Sequence, residues 1–240
     1  RYFIMVKIGN FFFHYRNILL PIFFLLLLVP SPDLFANPTN ALLLGFGIVF
    51  IGQLVRFLTI GLVYIIRGGQ NRRIHAEGLV TTGIFSHCRN PLYVGNICVA
   101  IGMGVASNSV IFFSFITPMI LFIYITIVAA EENFLRNKFG ESYDKYTSEV
   151  NRWFPSLNGI TQTFKAHNFS WKRVLLKEYN STYVNIALAL MLIMKAQYHH
   201  PELYGNFKDQ LPTFGIWFIG VTVVYLFVKV LKKTHTLVAD

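Results

Sequence analysis

The stretch GLVTTGIFSHCRNPLYVGN, residues 78–96, joins two long apolar runs and changes character half-way along. Its first half is polar and carries Gly78 and Gly83, residues that permit tight backbone turns. Pro91 suits the first turn of a helix, where its missing N–H has no intrahelical partner to lose. Arg89 and Asn90 stand just before that start. Unpaired backbone N–H groups and the positive end of the helix dipole favour an anion or a carboxylate there. The stretch therefore reads as a polar loop on a membrane surface that runs into a spanning helix. Folded over the helix mouth, such a loop can hold a small zwitterionic molecule. Taken alone, it is equally consistent with a re-entry loop whose polar residues only solvate the interface.

The surrounding composition supports the membrane. Of 240 residues, 54% are hydrophobic and 13% charged, with 24 Phe, which is the composition of a multi-pass membrane protein. The fold class expected is all-α, a transmembrane helical bundle of about six spans: 18–35, 41–66, 91–106, 110–130, 182–198 and 214–231. Pro21 falls in the opening turn of the first span, and residues 1–16 read as an interfacial segment. The first run does not end in a small-x-small cleavage pattern, so it reads as a retained helix. Residues 131–150 read as a surface helix, with Leu135, Phe139, Tyr143, Tyr146 and Val150 on one side. Residues 151–179 return along the surface, with Ser170 as an N-cap. The chain divides into 1–40, a core at 41–157, and a linker with a two-span hairpin at 158–240. Segments 1–16, 67–90, 131–179 and 229–240 hold 18 of the 21 Lys and Arg. With six spans they share one face, which places both termini in the cytoplasm.

The net charge of +10 raises nucleic acid as a partner, but no interleaved basic-aromatic pattern supports it. Basic loops against anionic lipid explain the charge. Cys88 and Cys98 have no metal-ligand spacing and read as small apolar residues. His199, His200 and Glu202 offer ligand types for a metal, but a wet loop is the ordinary reading, so no metal is expected. Gly45, Gly47 and Gly52 lie in an apolar span with no preceding strand, and read as helix-packing glycines. Arg56 lies within the second span, where a charge needs a partner or a cavity. Glu131, Glu132 or a ligand are the candidate partners.

Two motifs then stand in order. Gly83-Ile84-Phe85 precedes Arg89-Asn90-Pro91-Leu92-Tyr93-Val94-Gly95, and Glu131-Glu132 with Leu135 precedes Phe139-Gly140, Tyr143 and Tyr146. Together they resemble the isoprenylcysteine carboxyl methyltransferase and phospholipid methyltransferase superfamily of integral-membrane enzymes. The resemblance covers roughly residues 53–155. It implies S-adenosylmethionine as cofactor, S-adenosylhomocysteine as product, and a membrane lipid or lipid-linked acceptor. By motif position it implies cofactor contacts at Gln70, at Glu77, Gly78, Leu79 and Val80, at Phe85, and at Asn90, Pro91, Leu92 and Tyr93. It implies that Glu131 holds the cofactor's ammonium. Arg89 braces the loop or reaches an anionic group. Glu132 points about 100° away on a helix and pairs with Arg56 or a loop arginine. Arg89, Glu132 and Arg56 are the candidate catalytic residues.

Methyl transfer needs donor and acceptor aligned and dry rather than a covalent nucleophile. In the carboxyl-methylating branch an Arg lies one turn before the cofactor-binding Glu; here Ile127 stands there. That favours an amine or hydroxyl acceptor on a lipid over a prenylcysteine carboxylate. Two other functions compete. A steroid-reductase-like enzyme using NADPH shares a similar Arg-x-Pro-x-Tyr loop, but Asn96 and the Glu131-Glu132 pair depart from it. A non-catalytic scaffold would bind no cofactor. Oligomeric state is not legible.

Overall fold

The computed structural model describes residues 2–64, 69 and 72–234. Helix α1 is Tyr2–Leu25, followed by a 3-10 turn at Leu26–Leu28; α2 is Pro38–Leu62; a 3-10 turn at Gly83–Ser86 precedes α3, Pro91–Ala106. A π-helical turn at Phe112–Ile116 leads into α4, Thr117–Phe139, then α5, Glu141–Glu149, and α6, Ile160–Ala166. The chain ends in α7, Trp171–His199, the short α8, Pro201–Tyr204, and α9, Phe207–Lys233. Among the described residues no strand is longer than the isolated bridge between Asp33 and Ser109. The protein is an all-α membrane helical bundle, as expected.

The boundaries differ in instructive ways. The first helix starts at Tyr2, so residues 2–16 are not an interfacial segment and Pro21 lies inside the helix. Packing explains it: Gly9 sits against the backbone of Thr126, and Phe13 against Ile123 and Ile127. A helix tied to α4 along this face has no reason to lie on the surface. Helix α2 begins at Pro38, because the Asn37 side chain caps it by accepting from Thr39 N at 2.9 Å.

The expected surface helix at 131–150 is two elements. Nothing at Glu131 breaks α4, which runs on to Phe139; the break comes at Gly140, whose φ of 52° a side chain rarely adopts. Ser170 does cap α7, accepting from Arg173 N at 3.3 Å. That helix runs unbroken for 29 residues and merges the expected interfacial segment with the expected fifth span.

Among the described residues, four helices are long and apolar enough to cross a membrane: Tyr2–Leu28, Pro38–Leu62, Phe112–Phe139 and Phe207–Lys233. Of the other two expected spans, α3 is apolar but 16 residues long, and α7 carries Lys172, Arg173, Lys177, Glu178 and Lys195. Within lipid, apolar surface gives no hydrophobic drive between helices, so close backbone approach must supply the contact. Gly45 and Gly52 of α2 meet Gly102 and Gly95 of α3; a Cβ at Gly45 would lie 2.4 Å from Ala106 N and 2.5 Å from Gly102 O. Gly47 meets nothing within 4 Å and is not part of that seam. The core gathers Leu27, Met103, Phe112, Ile120 and Tyr124 with Leu188 and Leu192 of α7.

Candidate active site

The polar loop before α3 is held down from the far side. Gly83 takes φ 61°, and a Cβ there would strike the Val63 side chain at 2.3 Å, so glycine is required. Gly78 lies in a bend but has neither a positive φ nor a close neighbour, so the bend does not require glycine. His87 bridges Ser156 O and Thr163 Oγ1, both at 2.8 Å, and Tyr146 donates to Phe85 O at 2.7 Å. Burial pushes the Cys88 thiol and the Tyr143 and Tyr146 phenols up from their ordinary values.

Glu132 is the hub of this closure. Its Oε2 takes Arg152 Nη2 at 2.6 Å and its Oε1 takes Arg152 Nε at 3.0 Å, in a bidentate pair. Arg89 Nη2 stands 3.8 Å from Oε1, and Asn90 Nδ2 donates to the same oxygen at 3.4 Å. Of the expected partners of Glu132, the loop arginine is present and Arg56 is not. Asn90 is the residue before α3, yet its side chain makes no cap bond and is committed to Glu132 and Arg152 O.

Arg56 has a different partner from those expected. It pairs with Glu178 of α7, Nη2 to Oε2 at 2.8 Å and Nε to Oε2 at 3.0 Å, and it also donates to Ser181 Oγ and to Asn96 Oδ1. Gln53 donates to Glu178 and accepts from Asn185, so the network ties α2 and α3 to α7. Both charges are almost fully buried. Gly95 makes room for the Arg56 stem, since a Cβ there would lie 2.6 Å from Arg56 Cγ.

Above these two clusters lies a chamber of about 880 Å³. Arg56, Glu77, Gly78, Leu79, Val80, Phe85, Arg89, Asn90, Pro91, Leu92, Tyr93, Glu131 and Glu132 all line it. Gln70 lies outside the described residues. In the chamber Tyr93 donates to Glu131 Oε1 at 2.6 Å and accepts from Arg16 Nη1 at 3.2 Å. The expected residues come from one loop and three helices, and the chain folds them into a single wall. Chamber residues without a signal in the motifs include Arg16 and Asn17 of α1, Tyr179 of α7 and Lys232 of α9. Arg16 was read as interfacial charge, and its placement mid-helix was the missed clue.

At the opposite end of the bundle, His200 approaches Glu202 at 3.2 Å and Asp33 at 3.8 Å. Among the described residues no three His, Cys, Asp or Glu converge on a metal position.

The structure is thus an apolar helical bundle enclosing a polar chamber, with adjacent glutamates and an Asn-Pro-x-Tyr helix start on its wall. Residues 40–142 match the phospholipid methyltransferase family, part of the superfamily of integral-membrane methyltransferases that the two motifs resemble. The chain is also similar to the nickel-cobalt-cadmium resistance protein NccN of Alcaligenes xylosoxydans xylosoxydans, at 32% identity over 40% of this chain and 46% of that protein. A second relative is the cobalt-zinc-cadmium resistance protein CzcN of Cupriavidus metallidurans, at 31% identity over 40% of this chain and 44% of that protein. The chain thus spans just under half the length of these curated relatives. No solved structure matches it significantly.

Proposed function

We propose that the chamber binds S-adenosylmethionine and passes its methyl group to a membrane lipid or lipid-linked acceptor at the cytoplasmic face. The observation that carries this reading is the convergence of the motif residues on one cavity with the Glu131 carboxylate inside it. The fit is reasonable: about 880 Å³ is within the range of small-molecule sites, and the wall mixes backbone, aromatic and charged groups. When bound, the cofactor would supply an electrophilic methyl to which a nucleophilic oxygen or nitrogen bonds in line as the C–S bond breaks, the thioether leaving and the acceptor's proton passing to solvent.

The chain's own part is to bind, orient and exclude water. Tyr93 occupies one oxygen of Glu131 and fixes the carboxylate's direction, so that the other oxygen faces an ammonium in the chamber. Residues 77–80 offer backbone groups on the loop side, and Phe85 an apolar ring. Arg89 and Glu132 hold the loop shut rather than touch the reacting atoms, so they act as positioning residues. Arg56, fully engaged by Glu178, is a positioning residue too. Ile127 is completely buried against Phe13 and Ile123, so no cation enters from that helix turn. This favours an amine or hydroxyl acceptor on a lipid over carboxyl esterification.

The test is to incubate purified protein and labelled S-adenosylmethionine with total lipid extract or with a farnesylcysteine analogue. Label in lipid and none in the analogue is the expected result. Base-labile methyl ester on the analogue, with none in lipid, defeats the acceptor assignment. Binding of NADPH but not of S-adenosylhomocysteine defeats the cofactor assignment.

A further inference from the structure

Arg16 stands near the middle of Tyr2–Leu28, one of the four helices able to cross a membrane. Counted along the helix it is about 18 Å from the nearer end. A guanidinium at that depth is costly and calls for a partner or a polar cavity. Each of the other cations lining the chamber has a neighbour, although the buried Nε of Arg89 lacks a hydrogen-bond partner. Arg56 is held by Glu178, and Arg89 is near Glu132; Lys232 lies over the Tyr179 ring with Nζ on Leu176 O, and Lys177 lies over the Tyr64 ring.

Arg16 is set apart by its depth along a helix able to cross a membrane. Its guanidinium sits 4.0 Å over the Phe13 ring and gives one hydrogen bond, to the neutral Tyr93 hydroxyl. Among the described residues no carboxylate lies within 4 Å of it. Its position is equally specific. Tyr93 bridges it to Glu131, so it stands one side chain away from the carboxylate expected to hold the cofactor. Asn17 beside it also lines the chamber and is exposed, so the cavity is not sealed along α1.

We infer that Arg16 is the acceptor-side cation of the chamber and receives the anionic group, a phosphate or a carboxylate, of an amphiphilic methyl acceptor entering past α1. This rests on the methyl-transfer reading of the same chamber. A guanidinium fits either anion through paired N–H donors, and the dry surroundings strengthen the contact. The residue lies outside the family-matched stretch, so the motifs assigned it no role; the anionic group it receives is distinct from the amine or hydroxyl that takes the methyl. It also sets the selection: an amphiphile without an anionic group leaves this guanidinium unanswered.

The experiment uses the intact chain in dodecyl maltoside micelles, titrated separately with dodecyl phosphate, dodecanoate, dodecanol and S-adenosylhomocysteine. The wild-type protein is expected to bind one or both anionic amphiphiles at least about tenfold more tightly than dodecanol. A phosphate preference points to a lipid phosphate, and a dodecanoate preference to a carboxylate. Arg16→Gln should erase that preference in a protein that still binds S-adenosylhomocysteine; Arg16→Lys should keep part of it. A second readout does not depend on a variant folding. Phenylglyoxal labelling of the wild-type protein, mapped by mass spectrometry, should show Arg16 protected by the preferred anion and reactive with dodecanol. No anion preference in the wild type, an undiminished preference in Arg16→Gln, or Arg16 labelling unchanged by the anions overturns the assignment. An Arg16-dependent preference in a protein that does not bind S-adenosylhomocysteine defeats the methyl-transfer reading and leaves the anion site standing.

Discussion

Glu131 and Glu132 are adjacent in sequence and have opposite tasks, because one residue on a helix turns the side chain by about 100°. Glu132 is consumed by Arg152, Arg89 and Asn90, whereas Glu131 has Tyr93 on one oxygen. Glu131→Gln is therefore expected to weaken S-adenosylhomocysteine binding ten- to a hundredfold, roughly 1.5–3 kcal/mol for a charge-assisted hydrogen bond. Calorimetry on folded protein checks it, and an unchanged affinity removes Glu131 from the site. The groups on the other side of the loop predict a pH dependence. Cys88, Tyr143 and Tyr146 are all raised by burial, so the folded state holds their protons more tightly than the unfolded chain does. Their contribution is complete below pH 9, the ordinary thiol value, and falls as pH rises from there through the phenol range. Melting temperatures recorded from pH 7 to 11 should decline on the alkaline side, and Cys88→Ala should delay the onset of that decline. At this scale the sequence was a good guide wherever a motif fixed the residue. It fails for Arg56, because its partner Glu178 falls in the 151–179 stretch that reads as a surface return.

The helices were legible as apolar runs, but their ends were not. α1 begins some sixteen residues early, since contacts with Thr126 and Ile127 outweigh the charges of Lys7 and Arg16. α4 passes through both glutamates because a helix stops where its backbone must change, at Gly140, and not where polarity begins. The unbroken α7 was hidden for the same reason: its polar first half and apolar second half look like two segments. The glycine seam between α2 and α3 gives a prediction with its own control. Gly45→Ala places a methyl against the backbone of α3 and should destabilise the protein by about 1–3 kcal/mol. Gly47→Ala faces open space and should be neutral or stabilising by a few tenths up to about 1 kcal/mol. Thermal melts of the two variants in one detergent decide it, and equal losses would show that the seam is not carrying the packing.

Across the whole molecule the loops collect at two ends. One end holds the Asp33 turn, the 107–109 turn and residues 199–206, joined by Leu34 N to Asn108 O, by His200 near Asp33, and by Thr39 with Tyr204. The other holds the chamber, the 83–90 loop and residues 141–170. With the basic residues at the chamber end, that end should face the cytoplasm. In a background with Cys88 and Cys98 changed to Ala, Glu202→Cys should react with an impermeant maleimide in intact cells and Asn158→Cys should not. Reaction of Asn158→Cys from outside would invert the orientation. The ion pair between α2 and α7 has a consequence for how the chain is made. Arg56 and Glu178 are 122 residues apart, so the ribosome delivers the guanidinium well before its carboxylate exists. At about 5–20 residues per second, that interval is on the order of ten seconds. Throughout it α2 carries a guanidinium that only Asn96 of α3 can answer, so the buried ion pair is completed as one of the last contacts of the chain.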